Sequence, residues 1–479
     1  MKRFLLIISL ILLTFRFSFS QDGLGSWTLT YNNSNARVYT VAVDPNNQSI
    51  IYFGSLDNGL VKSTNGGLNW TVINTGLTYN HVFTMAIAKS NSNIIYAGTD
   101  SLGAWTTSGI YRSSDGGSNW TYVSNNGFDS KSIQAILVDP TDPNVVYVGV
   151  FTGLADATTG LFKTTNGGTN WTASNTGMVN KNILSLAMNP LNHNVIYAGS
   201  SLIVSSSSGP VTIYKSVNAG ASWTAIISGI PQTSTDNNPV RCLSVSSLDT
   251  NVVLAGLFMN ATALTGGMYV TTNGGTLWTQ KNTGCPNTVS YLCRSCLIKP
   301  GSSTEFYSGW DYSAPPGTNV CVYRTTDQGT SWTLFAGGSL LSTYAIRGMA
   351  FKTTGNPTLY AGDAGLSTTA FSGTGLYEYS WLASGVSDPA VPVKYELSQN
   401  YPNPFNPTTT IEYSLLKPGF VTIKVYDAAG KEVKVLINEF KAAGKYNVEF
   451  NGANLVSGVY FYQIRSNEFF DTKKMLLVK

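Results

Sequence analysis

Six tryptophans, Trp70, Trp120, Trp171, Trp223, Trp278 and Trp332, follow one another at intervals of 50, 51, 52, 55 and 54 residues. Each closes a copy of one phrase: "STNGGLNWT", "SSDGGSNWT", "TTNGGTNWT", "SVNAGASWT", "TTNGGTLWT" and "TTDQGTSWT". A fixed period of this length describes an array of supersecondary units, none of which buries its apolar face alone. A second motif precedes each phrase and recurs seven times, in forms such as "VAVDPNNQSIIYFG", "ILVDPTDPNVVYVG" and "MAFKTTGNPTLYAG". It reads as a short apolar run, a polar turn, then a β-branched and aromatic run ending in Gly, which is strand, turn, strand. A third strand leads into each phrase and a fourth begins at its Trp. Four strands in about fifty residues make one blade of a β-propeller.

Seven copies of one motif against six of the other need explaining. The last unit runs to "GTGLYEYSWLA", without a phrase or a fourth strand, while "GSWTLTY" near the start places Trp27 where a closing Trp belongs. Seven blades therefore close when the first strand completes the last blade, leaving no unpaired edge at the junction. The expected fold class is all-β: a seven-bladed β-propeller followed by a small Ig-like β-sandwich.

Chemistry does not explain the phrase. The hairpin between third and fourth strands needs φ > 0 at its tip, which the Gly pairs supply. The residue before them, Asn65, Asp115, Asn166, Asn218, Asn273 or Asp327, accepts backbone N–H bonds that fix the turn. Four of these six are amides, which cannot serve as general bases. The phrase reads as a structural staple. This S/T-x-D/N-x-G-x-x-W pattern resembles the Asp-box (BNR) signature of sialidases, xyloglucanases, sortilin-type receptors and photosystem II assembly-factor-like propellers. That resemblance covers about residues 24–383 and implies the architecture, whereas the relatives' activities differ widely.

The first twenty residues, "MKRFLLIISLILLTFRFSFS", have the basic start, short apolar run and small residues of a secretory signal. No later apolar run approaches the twenty residues that span a bilayer. Residues 21–390 carry 15 Lys and Arg against 17 Asp and Glu, so the net charge of +4 comes from the leader and tail. A nucleic-acid partner finds no electrostatic footprint in the main body. Five cysteines, at 242, 285, 293, 296 and 321, are an odd and clustered set, which argues against a disulfide framework. Cys293 and Cys296 form a C-x-x-C inside a strand-like run, where positions three apart face opposite sides. Only His81 and His193 could add imidazole ligands, so no metal and no cofactor is expected, and the cysteines read as small core residues.

Recognition is expected on the face opposite the phrases, where loops between second and third strands lengthen after the first blade. They carry Trp105, Phe151, Phe258, Trp310, Tyr312 and Phe371 toward one rim. Aligning the inner strands adds a sharper feature. The position held by Tyr39, Phe83, Gln134 and Leu184 in four blades becomes Arg241, Arg294 and Arg347 in the last three. Six arginines lie between residues 21 and 390, and half fall at this position. Guanidinium forks match carboxylate and phosphate. Sialidases use an arginine triad on a substrate carboxylate, but the rest of that catalytic set is missing here, including the F/Y-R-I-P motif. Asp100, Asp311 and Asp363 follow second strands; a glycosidase needs two carboxylates across the scissile bond, and no catalytic residue is assigned. The candidate ligand-binding set is Arg241, Arg294, Arg347, Asp311, Asp363, Trp105 and Trp310, with an acidic glycan or peptide as ligand. The competing class is a sialidase-like or xyloglucanase-like hydrolase.

Beyond a Pro-containing linker (384–395), residues 396–479 alternate cleanly through "TTIEYSLL", "FVTIKVYD", "KYNVEFNG", "GVYFYQIRS" and "FFDTKKMLLVK", an antiparallel sandwich. The stretches "NYPNPFNPTTTIEYSL", "VYDAAGKEV", "SGVYFYQI" and "KKMLLVK" resemble the C-terminal sorting domain of type IX secretion cargo. The resemblance implies the type IX machinery as partner and a destination outside the cell or on the outer-membrane surface of a Gram-negative bacterium. The expected division is 1–20 signal, 21–383 propeller, 384–395 linker and 396–479 sorting domain.

Overall fold

The computed structural model describes residues 26–32, 36–100, 108–124, 131–151, 160–201, 212–231, 239–258, 265–286, 291–312, 322–335, 345–354, 357–365, 375–381, 394–415, 419–441, 444–466 and 469–479. The leader and most of the long rim loops lie outside these residues. The chain divides into two compact units between Leu382 and Ala383.

The first unit contains seven four-stranded antiparallel sheets. Blades 1 to 6 span residues 38–72, 82–122, 132–173, 183–225, 240–280 and 291–334, each running from the inner strand outward in chain order. Blade 7 takes three strands from 346–380, and Ser26–Asn32 pairs antiparallel with Gly375–Ser380 as its outer strand. The first strand thus closes the ring, as the sequence pattern requires. Second strands such as Ile51–Ser55 and Val253–Leu257 are buried throughout. Neighbouring blades cover both of their faces, which is why they read as near-continuous apolar runs rather than alternations.

The phrase performs as a staple in every copy. Ser63 Oγ accepts from Gly67 N at 2.9 Å while Asn65 Oδ1 accepts from Asn69 N at 2.9 Å. The same pair of bonds recurs around Asp115, Asn166, Asn218, Asn273 and Asp327. Where the Gly pair is broken, Ala219 and Gln328 adopt the left-handed conformation, at φ of 54° and 58°.

Five of the seven closing tryptophans also bind the preceding blade through the indole. Trp120, Trp171, Trp278 and Trp332 donate their indole N–H to the carbonyls of Ile73, Val123, Ile226 and Lys281, at 2.8–2.9 Å. Trp70 donates to Thr30 O at 3.2 Å, carrying the chain of contacts across the closure. The indole N–H groups of Trp27 and Trp223 are buried without a hydrogen-bond partner. A second clasp points the other way. Tyr52 and Lys62 both donate to Gly116 O, and Tyr147 and Lys163 to Ala219 O. Tyr197 and Lys215 likewise donate to Gly274 O. Each lysine thereby caps the phrase of the next blade, and burial lowers its pKa.

The second unit packs a three-stranded sheet with a four-stranded sheet around Leu397, Ile411, Ile423, Phe450, Tyr462 and Leu477, an Ig-like sandwich. Its strand Glu432–Lys441 was not expected from sequence. It pairs with Gly419–Asp427 at the sheet's edge and is largely exposed or half-buried, so it lacks a clean alternation.

Two substitutions probe the stapled ring in opposite directions. A Cβ at Gly199 would sit 2.5 Å from Val240 Cγ1 of the next blade, so Gly199→Ala should lower stability by about 1–3 kcal/mol in urea unfolding. Ala219→Gly relieves a left-handed alanine and should raise it by up to about 1 kcal/mol.

Candidate functional site

The inner strands each start with an irregularity that positions the site. In all seven blades the pairing of inner and second strands slips by one residue. The residue skipped is Tyr39, Phe83, Gln134, Leu184, Arg241, Arg294 or Arg347. A bulged residue leaves the ladder and its side chain is re-aimed. Here the seven side chains converge to line a cavity of about 90 Å³. Six of them also border a channel space of about 320 Å³ lined by the inner strands.

Each bulge faces a glycine, the last residue of the "YAG"-type run. Thr40, the residue after the skipped Tyr39, pairs with Gly54, and a Cβ there would meet Val82 Cγ1 of the next blade at 2.5 Å. The absence of a side chain lets the next inner strand come in close. The terminal Gly of the repeat was visible in the sequence, but its function of seating the neighbouring blade was not.

The ring is divided by charge. Tyr39, Phe83 and Leu184 supply apolar surface, with the Tyr39 and Phe83 ring centroids 4.3 Å apart. On the other side, Arg294 Nε and an Arg347 terminal nitrogen donate to the same oxygen of Asp311, at 2.9 and 3.0 Å. The Arg347 guanidinium also lies over the Tyr39 ring, 4.3 Å from its centroid, a cation–π contact. Arg241 has no ion pair or hydrogen bond among the described residues, and its Nε is buried without a partner. Burial, with the neighbouring Arg294 and Arg347, pushes its pKa down to about 9.

Asp363 lies behind this ring, 1% exposed, where its Oδ1 accepts from Gly365 N at 3.0 Å. Burial pushes its carboxyl up to about 7, against the opposing pull of backbone donors and Arg347. With Asp363 protonated, three guanidinium groups meet one carboxylate, so two positive charges remain uncompensated.

The remaining expectations divide. The inner-strand alignment brought Arg241, Arg294 and Arg347 to one cavity, with Asp311 bridging two of them. Trp310 is corrected: it is fully buried, donates its indole N–H to Ser308 Oγ and belongs to the core between blades 5 and 6. It shares a face of Phe306–Tyr312 with Phe306, and the neighbouring blade covers that face. Trp105 and Phe371 lie outside the described residues. Cys242, Cys285, Cys293 and Cys296 are core residues, as expected, and Cys321 lies outside the described residues; Cys293 and Cys296, however, do not face opposite sides. The slip at Arg294 pairs Cys293 with Trp310 and Cys296 with Ser308, two residues apart on one strand and hence on one face. Both enter the same apolar core. No group of metal-ligating side chains occurs among the described residues, and no helix there is long and apolar enough to cross a membrane.

Comparison with known proteins agrees with this architecture. Residues 399–479 match the family described as the secretion system C-terminal sorting domain. No curated protein matched the sequence. Among solved structures the chain is similar to an ancestral GH74 enzyme, at 16% identity and a TM-score of 0.52 over 94% of this chain and 63% of that one. It is similar also to the GH74 xyloglucanase of Xanthomonas campestris, at 14% identity and 0.52, over 81% and 59%. PorZ, a bacterial surface component of the type IX secretion system of Porphyromonas gingivalis, aligns at 14% identity and 0.47, over 90% and 58%. The chain spans less than two thirds of each of these proteins, and the likeness to the first two is one of fold. The tail marks the chain as type IX cargo, secreted or held at the cell surface.

The buried acid gives a pH signature. A carboxyl held above its unfolded value of about 4 retains its proton in the native state, so stability falls as pH rises toward 7. Asp363→Asn should flatten that slope relative to the unaltered chain. Above pH 7 it should be the more stable protein by more than about 1 kcal/mol, as measured by urea titration at pH 5 and pH 8.

Proposed function

We propose that the exported propeller is a binding module whose ring holds the anionic group of an extracellular ligand, a uronic-acid glycan or a peptide carboxylate. The observation that carries this reading is Arg241. A guanidinium that is half-buried, surrounded by like charge and unpaired is costly unless an anion completes it. Arg294 and Arg347 are already oriented by Asp311, so the ring is preorganised on two sides and open on the third.

Hydrolysis is supported less well. A glycosidase needs two carboxyl groups facing the scissile bond. Asp311 is engaged by two guanidinium groups and Asp363 by backbone N–H donors. Glu305 is tied to Lys299, Tyr307 and Arg324, and Glu378 lies on the third strand of blade 7.

Because Arg241 has no internal partner, Arg241→Ala separates binding from folding. The variant should keep or gain thermal stability and lose at least about tenfold in affinity for acidic glycans, the worth of one charge-assisted hydrogen bond. Binding should also weaken as pH rises, first through about 7 as Asp363 ionises and again through about 9 as Arg241 loses its proton. Glycan-array retention and titration calorimetry on the mature chain measure both, and unchanged retention of Arg241→Ala refutes the reading.

A further inference from the structure

The bulges generate a junction that repeats around the ring. At five of the seven junctions a side chain on the opposing glycine would meet both the residue after the bulge and the residue before the bulge of the next blade. A Cβ built on Gly54 would meet Thr40 and Val82; on Gly98, Thr84 and Ile133; on Gly199, Ser185 and Val240; on Gly309, Ser295 and Ile346. Each pair combines a small hydroxyl residue with a β-branched one. Between blades 5 and 6 the same two positions are Cys242 and Cys293, and a Cβ on Gly256 would meet their sulfurs at 2.5 and 2.6 Å. Their Sγ atoms stand 3.7 Å apart in a core that excludes water.

We propose that Cys242 and Cys293 form a disulfide in the exported protein, a covalent bond between two adjacent blades. Several observations converge on this pair. The glycine opposite leaves room for two sulfurs. The residues occupy positions that converge on the opposing glycine at four other junctions. The sorting tail sends the chain to a compartment where disulfides form and persist. Closing the pair to a bond of about 2.05 Å requires adjustment of two short side chains within an existing contact. The oxidant is a dithiol–disulfide carrier of the cell envelope. One cysteine thiolate attacks the carrier's disulfide and forms a mixed disulfide. The other then displaces the carrier's remaining sulfur. Two electrons and two protons pass to the carrier, which leaves as the dithiol. With Cys242 8% and Cys293 0% exposed, the exchange takes place before blades 5 and 6 finish docking. The bond joins the blades that present Arg241 and Arg294, but it does not depend on what the ring binds.

The test uses the mature full-length protein collected from the medium of an exporting Gram-negative host. It is quenched in acid, alkylated with excess N-ethylmaleimide under denaturing conditions, and digested without reduction. The expected result is a linked peptide pair joining Cys242 to Cys293, two hydrogens lighter than its free components, with Cys296 alkylated. Recovery of Cys242 or Cys293 as an alkylated thiol overturns the proposal, as does a link from Cys242 to Cys296. Cys242→Thr combined with Cys293→Val rebuilds the noncovalent Thr40–Val82 junction and so should fold. Its Tm should lie about 5 °C below that of the unaltered protein, and an identical Tm would count against the bond.

Discussion

The ring depends on hydrogen bonds that reach from a side chain of one blade to a backbone carbonyl of its neighbour. Sheets in a propeller share no strand ladder, so blades stay registered through apolar packing, such bonds and a few backbone contacts, among them Trp120 N to Thr75 O and Trp332 N to Thr283 O. The indoles of Trp70, Trp120, Trp171, Trp278 and Trp332 reach back to a carbonyl of the blade before, while at three junctions Tyr and Lys reach forward to the phrase of the blade after. A half-buried lysine gains from an acceptor, and the turn of the phrase presents a carbonyl for it. The phrase is therefore an acceptor for its neighbour as well as a brace for its own hairpin.

The same geometry explains why the site lies where it does. Each glycine that admits the next blade sits opposite a bulge, and every bulge directs one side chain into the channel. Packing between blades and the placement of ring residues are two outcomes of one backbone irregularity. The position is structurally constrained but chemically open. Tyr, Phe, Gln, Leu and Arg all occupy it, and the three arginines fall in consecutive blades, so their charges reinforce one another on one side.

Much of this was legible in the sequence, for identifiable reasons. The Trp interval and the terminal glycines set the blade count, and aligning on those markers placed the arginines at equivalent positions. The bulges were not legible, because a skipped residue leaves no mark in composition and defeats the two-residue period on which facing is argued. That is why Cys293 and Cys296 were expected on opposite sides. Trp310 was misplaced because a large aromatic next to a long loop reads as a rim residue, whereas blades packed against both faces of a second strand bury it. The roles of Lys62, Lys163 and Lys215 were hidden for another reason: their acceptors belong to a repeat some fifty residues onward. The edge strand Glu432–Lys441 escaped notice because partial exposure weakens its alternation.

The pairing of Ser26–Asn32 with Gly375–Ser380 has a bearing on how such a chain travels. The segment that precedes all the blades in the chain is needed to finish the last one. Until that partner arrives, the circle stays open and its terminal sheet lacks a border. A polypeptide arranged in this way reaches its final shape only when nearly its whole length is available on the same side of a membrane.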